Sequence, residues 1–172
     1  MSSAAALHGD PASISALAAT MRTASLRLAA EAERVGRALD DAEPGWTGRA
    51  ALEQRRRSRA AAQTLARAAE TLRQSAQTLQ EGATELAEPL AELQRIEERA
   101  AEHGLAVRDG MVSTTWGITG VVADDAPSGE AVRAQLEQRL HAAASALGRT
   151  RARVTRDCLA ARRTLEGLRA TA

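Results

Sequence analysis

The chain has 172 residues, of which 44% are hydrophobic and only 1% aromatic, and its formal net charge is +1. This length is enough for one domain with a core, and the dominant residues, Ala, Leu, Arg, Glu and Gln, favour helices over strands. The small net charge argues against nucleic acid or an anionic membrane as a partner, and the single cysteine excludes an internal disulfide. The composition therefore predicts an all-α protein.

The first predicted helix begins at Gly9-Asp10-Pro11, because Asp10 can cap it and Pro11 suits the first helical position. Pro44 and Gly45 are expected to end it. Apolar residues recur at intervals of seven between these limits, as in a coiled-coil seam: Ile14, Met21, Leu28 and Val35. A second set thickens the stripe: Leu17, Ala18, Ala24, Ala32 and Leu39.

The second predicted helix begins at Thr47, a candidate cap, and extends to about His103-Gly104. Its seam is a strict heptad of leucines: Leu65, Leu72, Leu79, Leu86 and Leu93. Small or apolar residues lie beside this heptad: Ala62, Ala69, Ala76, Ala83 and Leu90. Pro89 lies inside the helix and lacks the amide hydrogen of a helical bond, so we expect a kink there.

A β-hairpin is predicted after the second helix, because Asp109-Gly110 separates two short apolar segments. With these two residues as the turn, Val107 pairs with Val112 and Leu105 pairs with Thr114. An isolated hairpin is only marginally stable, so apolar residues of the following connector are expected to anchor it. These residues are Trp116, Ile118, Val121 and Val122.

The third predicted helix begins near Pro127-Ser128-Gly129 and again has a heptad: Leu140, Leu147, Val154, Ala161 and Leu168. Further apolar residues flank it: Leu136, Ala143, Ala144, Cys158 and Leu165. Because Cys158 occupies an apolar helical position, we interpret it as a structural thiol and not as a nucleophile. Three heptad helices predict an elongated antiparallel bundle, with the β-hairpin between helices two and three.

The seam of the second helix can be aligned with each of the other two seams, in one register with the first helix and in a second register with the third. The short turn predicts an antiparallel first pair of helices that brings together Leu39 and Leu52, Leu28 and Leu65, Met21 and Leu72, and Ile14 and Leu79. The third helix then folds back to pair Leu140 with Leu93, Leu147 with Leu86, Val154 with Leu79, Ala161 with Leu72, and Leu168 with Leu65. Charge favours this pairing: residues 81–102 contain seven glutamates against two arginines, and residues 130–172 contain nine arginines against four acidic residues.

The expected single domain consists of a helical hairpin (10–103), a β-hairpin with connector (104–128) and the third helix (129–170).

A resemblance to a known family rests on Trp46-Thr47-Gly48 at the turn between two helices. This arrangement resembles the Trp-x-Gly (WXG) family of type VII secretion proteins in actinobacteria and their relatives. The start at 9–11, the Ala-rich heptads and the segment 104–112 look like the secretion-signal-like helical domain, with its short hairpin, of many actinobacterial type VII substrates. The resemblance covers residues 9–112.

The resemblance implies a non-enzymatic type VII substrate or secretion-signal domain, recognised through a hairpin surface that includes Trp46, Gly48 and Gly45. Its implied partners are the secretion machinery and a helical protein, either a second copy or a WXG-like heteromer. Such a protein leaves the cytoplasm for the cell surface or the medium by a route without a signal peptide. The first ten residues fit this expectation, since they have neither a basic nor an apolar signal region. No run of apolar residues is long enough to predict insertion into a membrane.

Two other functions remain open from the sequence. The chain could be a small helical partner or chaperone that presents a type VII toxin, or a cytoplasmic coiled-coil scaffold with an accidental Trp-x-Gly. The Tyr/Phe-x-x-x-Asp/Glu motif that usually accompanies WXG export signals cannot occur in a chain without Tyr or Phe, and Trp116 is followed by Gly120. Trp46 itself either closes its own hairpin or lines a surface for a partner.

No catalytic, metal or cofactor site is predicted. His8, His103 and His141 are far apart in sequence, and no phosphate-binding loop or nucleophile–base arrangement is present. The basic cluster Arg55, Arg56, Arg57 and Arg59 is interpreted as a solvated face, because no aromatic residues are interleaved to stack on bases.

Overall fold

The computed structural model describes residues 10–42, 45–114 and 127–170. Its elements, in chain order, are α1 (Pro11–Ala42), α2 (Arg49–Glu102), β1 (Leu105–Arg108), β2 (Met111–Thr114) and α3 (Pro127–Ala170). The three helices have 32, 54 and 44 residues, and the two strands form one antiparallel sheet. The prediction of an all-α bundle of three helices with a β-hairpin between the second and third is confirmed. The predicted roles of Gly9, Pro44 and the apolar residues of 115–126 lie outside the described residues.

The described residues form two compact units that share α2 and α3. The hairpin unit includes Gly82–Arg153, and the three-helix unit includes Ala12–Glu81 and Val154–Ala172. Each unit therefore contains one part of α2 and one part of α3. The β-hairpin belongs to the first unit, and α1 belongs to the second.

In the three-helix unit, α1 and α2 are antiparallel. They are adjacent at the turn before α2, and at the other end the Nε2 atom of Gln80 lies 3.4 Å from the Oγ atom of Ser15. Small side chains occupy most of the buried positions of this helix pair. The buried residues are Ala18, Ser25 and Leu39 of α1, and Ala51, Ala69, Ser75, Ala76 and Leu79 of α2.

Leu52, which the predicted register places beside Leu39, does not lie in the buried core. Its side chain is 55% exposed, while the preceding residue, Ala51, is buried. Successive helical residues are rotated by about 100°, and here the inward direction falls on Ala51 and leaves Leu52 facing solvent. Leu39, the residue expected to pair with Leu52, is buried as predicted.

In the hairpin unit, the antiparallel segments of α2 and α3 enclose a continuous apolar cluster together with the β-hairpin. Its buried members are Ile96 and Ala100 of α2, Val112 of β2, and Leu136 and Leu140 of α3. Partly buried residues pack against them: Leu93, Leu105, Val107 and Val132. The hairpin is thus held by an apolar contact with both helices, which an isolated two-stranded sheet would lack.

The backbone of the β-hairpin agrees with the sequence-based register. Leu105 pairs with Thr114 and Val107 pairs with Val112. Asp109 and Gly110 have φ values of 51° and 77°, as a two-residue type I′ turn requires. Just before β1, Gly104 has a φ of 67° and ends α2 in the left-handed conformation typical of a helix C-terminus.

The predicted seam residues differ in their burial. Four are buried: Leu79, Leu86, Leu140 and Leu147. Seven are intermediate: Ile14, Met21, Leu28, Leu65, Leu72, Leu93 and Val154. The buried residues of α1 are Ala18 and Leu39, which belong to the flanking set, and Ser25, which belongs to neither predicted set.

Candidate interaction surfaces

The turn before α2 is fixed by hydrogen bonds of the backbone. The Leu52 amide donates to the Gly48 carbonyl oxygen at 3.1 Å, which makes Gly48 the N-terminal cap of α2. The prediction that Thr47 caps this helix is therefore wrong. Gly48 has a φ of +100°, a conformation that side chains with a Cβ rarely adopt, so the cap position requires glycine.

A hydrogen bond to its carbonyl oxygen fixes the backbone of Trp46, while its side chain is partly exposed to solvent. The guanidinium of Arg55 donates from Nη2 to the Trp46 carbonyl oxygen, so one member of the basic cluster has a structural role in the turn. The Trp46 residue is 38% exposed, and Leu52 in the first turn of α2 is also exposed. The turn thus presents two large apolar side chains at the start of α2.

The two glycines of this turn, Gly45 and Gly48, both have open surroundings. A Cβ atom added at Gly48 or Gly45 would meet open space within the described part of the chain. No second backbone approaches Gly48 within the described part of the chain, and the φ value of Gly48 accounts for the glycine. Nothing in the structure explains the glycine at position 45.

A second surface feature is an apolar cavity of about 400 Å³ in the three-helix unit. All three helices contribute to its lining: Leu17 and Met21 of α1, Ser75 and Leu79 of α2, and Cys158, Ala161 and Leu165 of α3. The Ser75 hydroxyl donates to the Thr71 carbonyl oxygen of its own helix at 2.7 Å, so its donor is already used. The floor of the cavity is therefore an apolar surface.

The sequence explains why this cavity exists. Ala161 occupies a heptad position of α3 that is filled elsewhere by Leu or Val, and Ser75 is a small residue of α2 in the same lining. A methyl group or a hydroxymethyl group at such positions leaves volume that a leucine would fill. Leu17 at the edge of the cavity remains 52% exposed as a result.

The charged part of the cavity lining comes from α3 and includes Arg162, Glu166 and Arg169. Arg162 donates from Nε to Glu166 at 2.8 Å, and this hydrogen bond raises the pKa of the Arg162 guanidinium above its ordinary value. Arg169 makes no ion pair with any residue that the structure describes. The lining therefore combines one neutralised Arg–Glu pair with one uncompensated guanidinium.

Cys158 is a poor nucleophile in this setting. Partial burial raises the pKa of its thiol above the ordinary value, and the nearby Asp157 carboxylate raises it further. The thiol is therefore protonated near neutral pH, whereas nucleophilic attack requires the thiolate.

Neither a metal-binding cluster nor a membrane-spanning segment occurs within the described ranges. No group of three or more His, Cys, Asp or Glu residues there could hold an ion, and none of the helices is long and apolar enough to cross a bilayer.

Comparison of the chain with protein-family models, with curated proteins and with solved structures finds no match. The case for its function accordingly rests on its own residues: the exposed Trp46 turn, the apolar cavity and the charges around them.

Proposed function

We propose that this chain is a type VII secretion-associated helical protein, a non-enzymatic substrate or secretion-signal domain that is recognised through the turn around Trp46. One observation carries the proposal: an indole of a Trp-x-Gly sequence lies partly exposed at the turn between two antiparallel helices. This is the arrangement for which the sequence resembles the WXG family. The proposed route leads from the cytoplasm to the cell surface or the medium without a signal peptide.

The contacts of the turn support a role for the indole beyond closing the hairpin. The Arg55 bond to the Trp46 carbonyl and the Gly48 cap hold the backbone without any contribution from the indole ring. Tryptophan is among the residues that most often dominate the binding energy of protein interfaces, because it combines a wide apolar face with a hydrogen-bond donor. With the exposed Leu52 nearby in sequence, it offers an apolar anchor to a helical partner or to the secretion machinery.

The proposal is tested by expressing tagged variants in the native host, with its type VII system intact, and measuring how much of each variant reaches the medium. We expect Trp46→Ala to abolish export or co-purification with the partner while circular dichroism shows unchanged helicity well below the melting temperature. Leu26→Ala is the matched control, since Leu26 is a large apolar residue that is 66% exposed on α1. Normal export of a folded Trp46→Ala protein would refute recognition through this turn and leave the likeness to WXG proteins as one of architecture.

A partner or chaperone role is the second candidate, and one observation favours it. Because the chain has no Tyr and no Phe, it cannot carry the Tyr/Phe-x-x-x-Asp/Glu motif that usually completes a WXG export signal. A chaperone would bind a secreted toxin at the same turn and remain in the cytoplasm. The same export experiment distinguishes the two roles, because a chaperone variant loses co-purification while neither it nor the parent chain reaches the medium.

A cytoplasmic coiled-coil scaffold is the remaining alternative. It requires neither export nor a role for the indole. In that case Trp46→Ala changes stability alone, and deletion of the type VII system leaves the location of the chain unchanged.

A further inference from the structure

We propose that the apolar cavity of the three-helix unit binds a free long-chain carboxylate, with the hydrocarbon chain against α1, α2 and α3 and the carboxylate at Arg169. This site is separate from the Trp46 turn, and the proposal does not depend on the secretion role. Its basis is the combination of a concave apolar surface with the guanidinium of Arg169, which forms no ion pair with the described residues.

The size and lining of the cavity fit an extended hydrocarbon chain. Its volume of about 400 Å³ lies within the range of small-molecule sites, roughly 300–1,000 Å³, and such sites are mainly apolar with a few polar groups. If a methylene is taken as about the size of one water in the liquid, roughly 30 Å³, the cavity holds about a dozen of them. The lining includes Met21, and methionine adapts to irregular apolar shapes.

The charges of the lining favour an anionic head over a neutral or cationic one. The carboxylate of Glu166 is engaged by Arg162, which leaves the guanidinium of Arg169 available to an external anion. A planar guanidinium can donate two parallel hydrogen bonds to one carboxylate. Between Pro11 and Ala30, α1 carries Arg22 and Arg27 and no acidic residue, so the helix opposite adds to the positive potential.

A hydrocarbon chain also accounts for the exposed leucine at this site. Leu17 is a large apolar residue at the edge of the cavity, with about half of its surface in contact with solvent. The ligand would cover this leucine surface and the apolar floor, and this burial provides the driving force of binding. Each methylene of the ligand that is removed from water raises the affinity by a factor of about four.

The first test is a chain-length series measured by isothermal titration calorimetry on the full-length protein below the critical micelle concentration of each ligand. We expect affinity to rise about fourfold per methylene from octanoate to dodecanoate and to level off once the chain exceeds about a dozen carbons. Dodecanol is the uncharged control, and vesicles of phosphatidylglycerol test for an intact lipid surface. Equal binding of dodecanol and dodecanoate, or binding to vesicles without binding of dodecanoate, would overturn the proposal.

Two pairs of variants locate the ligand. Ala161→Leu fills the cavity and is expected to weaken dodecanoate binding by about tenfold or more, because three added carbons displace methylenes of the ligand. Ala160→Leu is its control, since Ala160 is exposed on the same helix and lies outside the lining. Arg169→Gln is expected to weaken binding two- to fivefold, in keeping with an ion pair open to solvent, whereas Arg163→Gln leaves it unchanged.

The single cysteine provides a second readout that does not depend on calorimetry. Cys158 lies in the lining, so bound dodecanoate should slow its reaction with a small maleimide in the parent chain and in Ala160→Leu, with a much smaller effect in Ala161→Leu. Retained helicity of each variant is checked by circular dichroism. Unaltered labelling at saturating dodecanoate would contradict the proposal. So would sedimentation showing that the parent chain is a dimer that Ala161→Leu dissociates, because the occupant of the cavity would then be a second copy.

Discussion

Glu92 of α2 accepts a hydrogen bond from the Arg139 guanidinium of α3 at 2.7 Å, and this ion pair joins the two helices of the hairpin unit. The Glu92 side chain is only 22% exposed, and the hydrogen bond from Arg139 is the main reason why the pKa of this carboxyl lies below its ordinary value. A second ion pair in the same unit joins Arg153 to Glu85. These contacts confirm the charge pairing that the acidic end of the second helix and the basic third helix predict.

Replacement of Glu92 by Gln should make the hairpin unit less stable near neutral pH. We expect the free energy of unfolding to fall by about 1 kcal/mol or less, the usual range of partly exposed ion pairs, because the charge-assisted bond to Arg139 is lost. Urea unfolding followed by circular dichroism measures this change. Glu98→Gln is the control, because Glu98 is an exposed glutamate of the same helix.

The pH dependence of this difference follows from the direction of the pKa shift. A carboxyl whose pKa is lower in the folded state contributes stability above its unfolded pKa, about 4.3, and loses it as the pH falls through the folded value. The difference in the free energy of unfolding between the parent chain and Glu92→Gln should therefore disappear below about pH 4. A difference that stays constant down to pH 2 would show that Glu92 does not act through its charge.

Removal of the Ile96 side chain should destabilise the hairpin unit far more than the loss of an ion pair. Ile96 is 0% exposed and lies in the cluster between α2, β2 and α3. Ile96→Ala creates a cavity in this buried cluster, so we expect a loss of about 2–5 kcal/mol in urea unfolding. Leu26→Ala serves as the comparison and should stay within about 0.5 kcal/mol. Similar effects of the two substitutions would contradict this position of the core.

The sequence predicts the helices and the β-hairpin well because their signals are local. The Asp109-Gly110 turn requires two positive φ values, and residues of this type favour them, so the register follows from the turn alone. The leucine heptads predict helices for a similar reason. Ile96 was missed as a core residue because it lies three residues beyond the last leucine of the heptad, on the neighbouring row of the same helical face.

The features of the candidate sites were harder to predict, because they depend on contacts between elements. The cap at Gly48 follows from a backbone angle and not from a side-chain type, so Thr47 is the better candidate by residue preference alone. The cavity depends on the simultaneous presence of small residues on α2 and α3, and a single helical pattern does not reveal it. The hydrogen bond from Arg55 to the Trp46 carbonyl could not be predicted either, because the sequence does not distinguish Arg55 from the other arginines of the basic cluster.

Cysteine cross-linking tests the alignment of α2 and α3 in the hairpin unit. Leu86 and Leu147 are both buried there, and the ion pairs Glu92–Arg139 and Glu85–Arg153 lie on either side of them in sequence. We expect a Leu86→Cys/Leu147→Cys protein, with Cys158→Ser, to form a disulfide readily under mild oxidation in the native state. Leu86→Cys paired with the exposed Ala144→Cys is the control, and preferential cross-linking of that pair would show a different register.

Paired glycine substitutions test the backbone of the turn without touching the indole. Gly48 has a φ of +100° and Gly45 lies in open space without such an angle. Gly48→Ala should cost about 1–3 kcal/mol, because alanine must adopt a sparsely populated conformation or the cap of α2 must be rebuilt. Gly45→Ala should be neutral or stabilise by up to about 1 kcal/mol, since alanine reduces the freedom of the unfolded chain. Thermal unfolding measures the stability of both variants. Equal stability of the two would mean that the turn accommodates alanine at position 48 without strain.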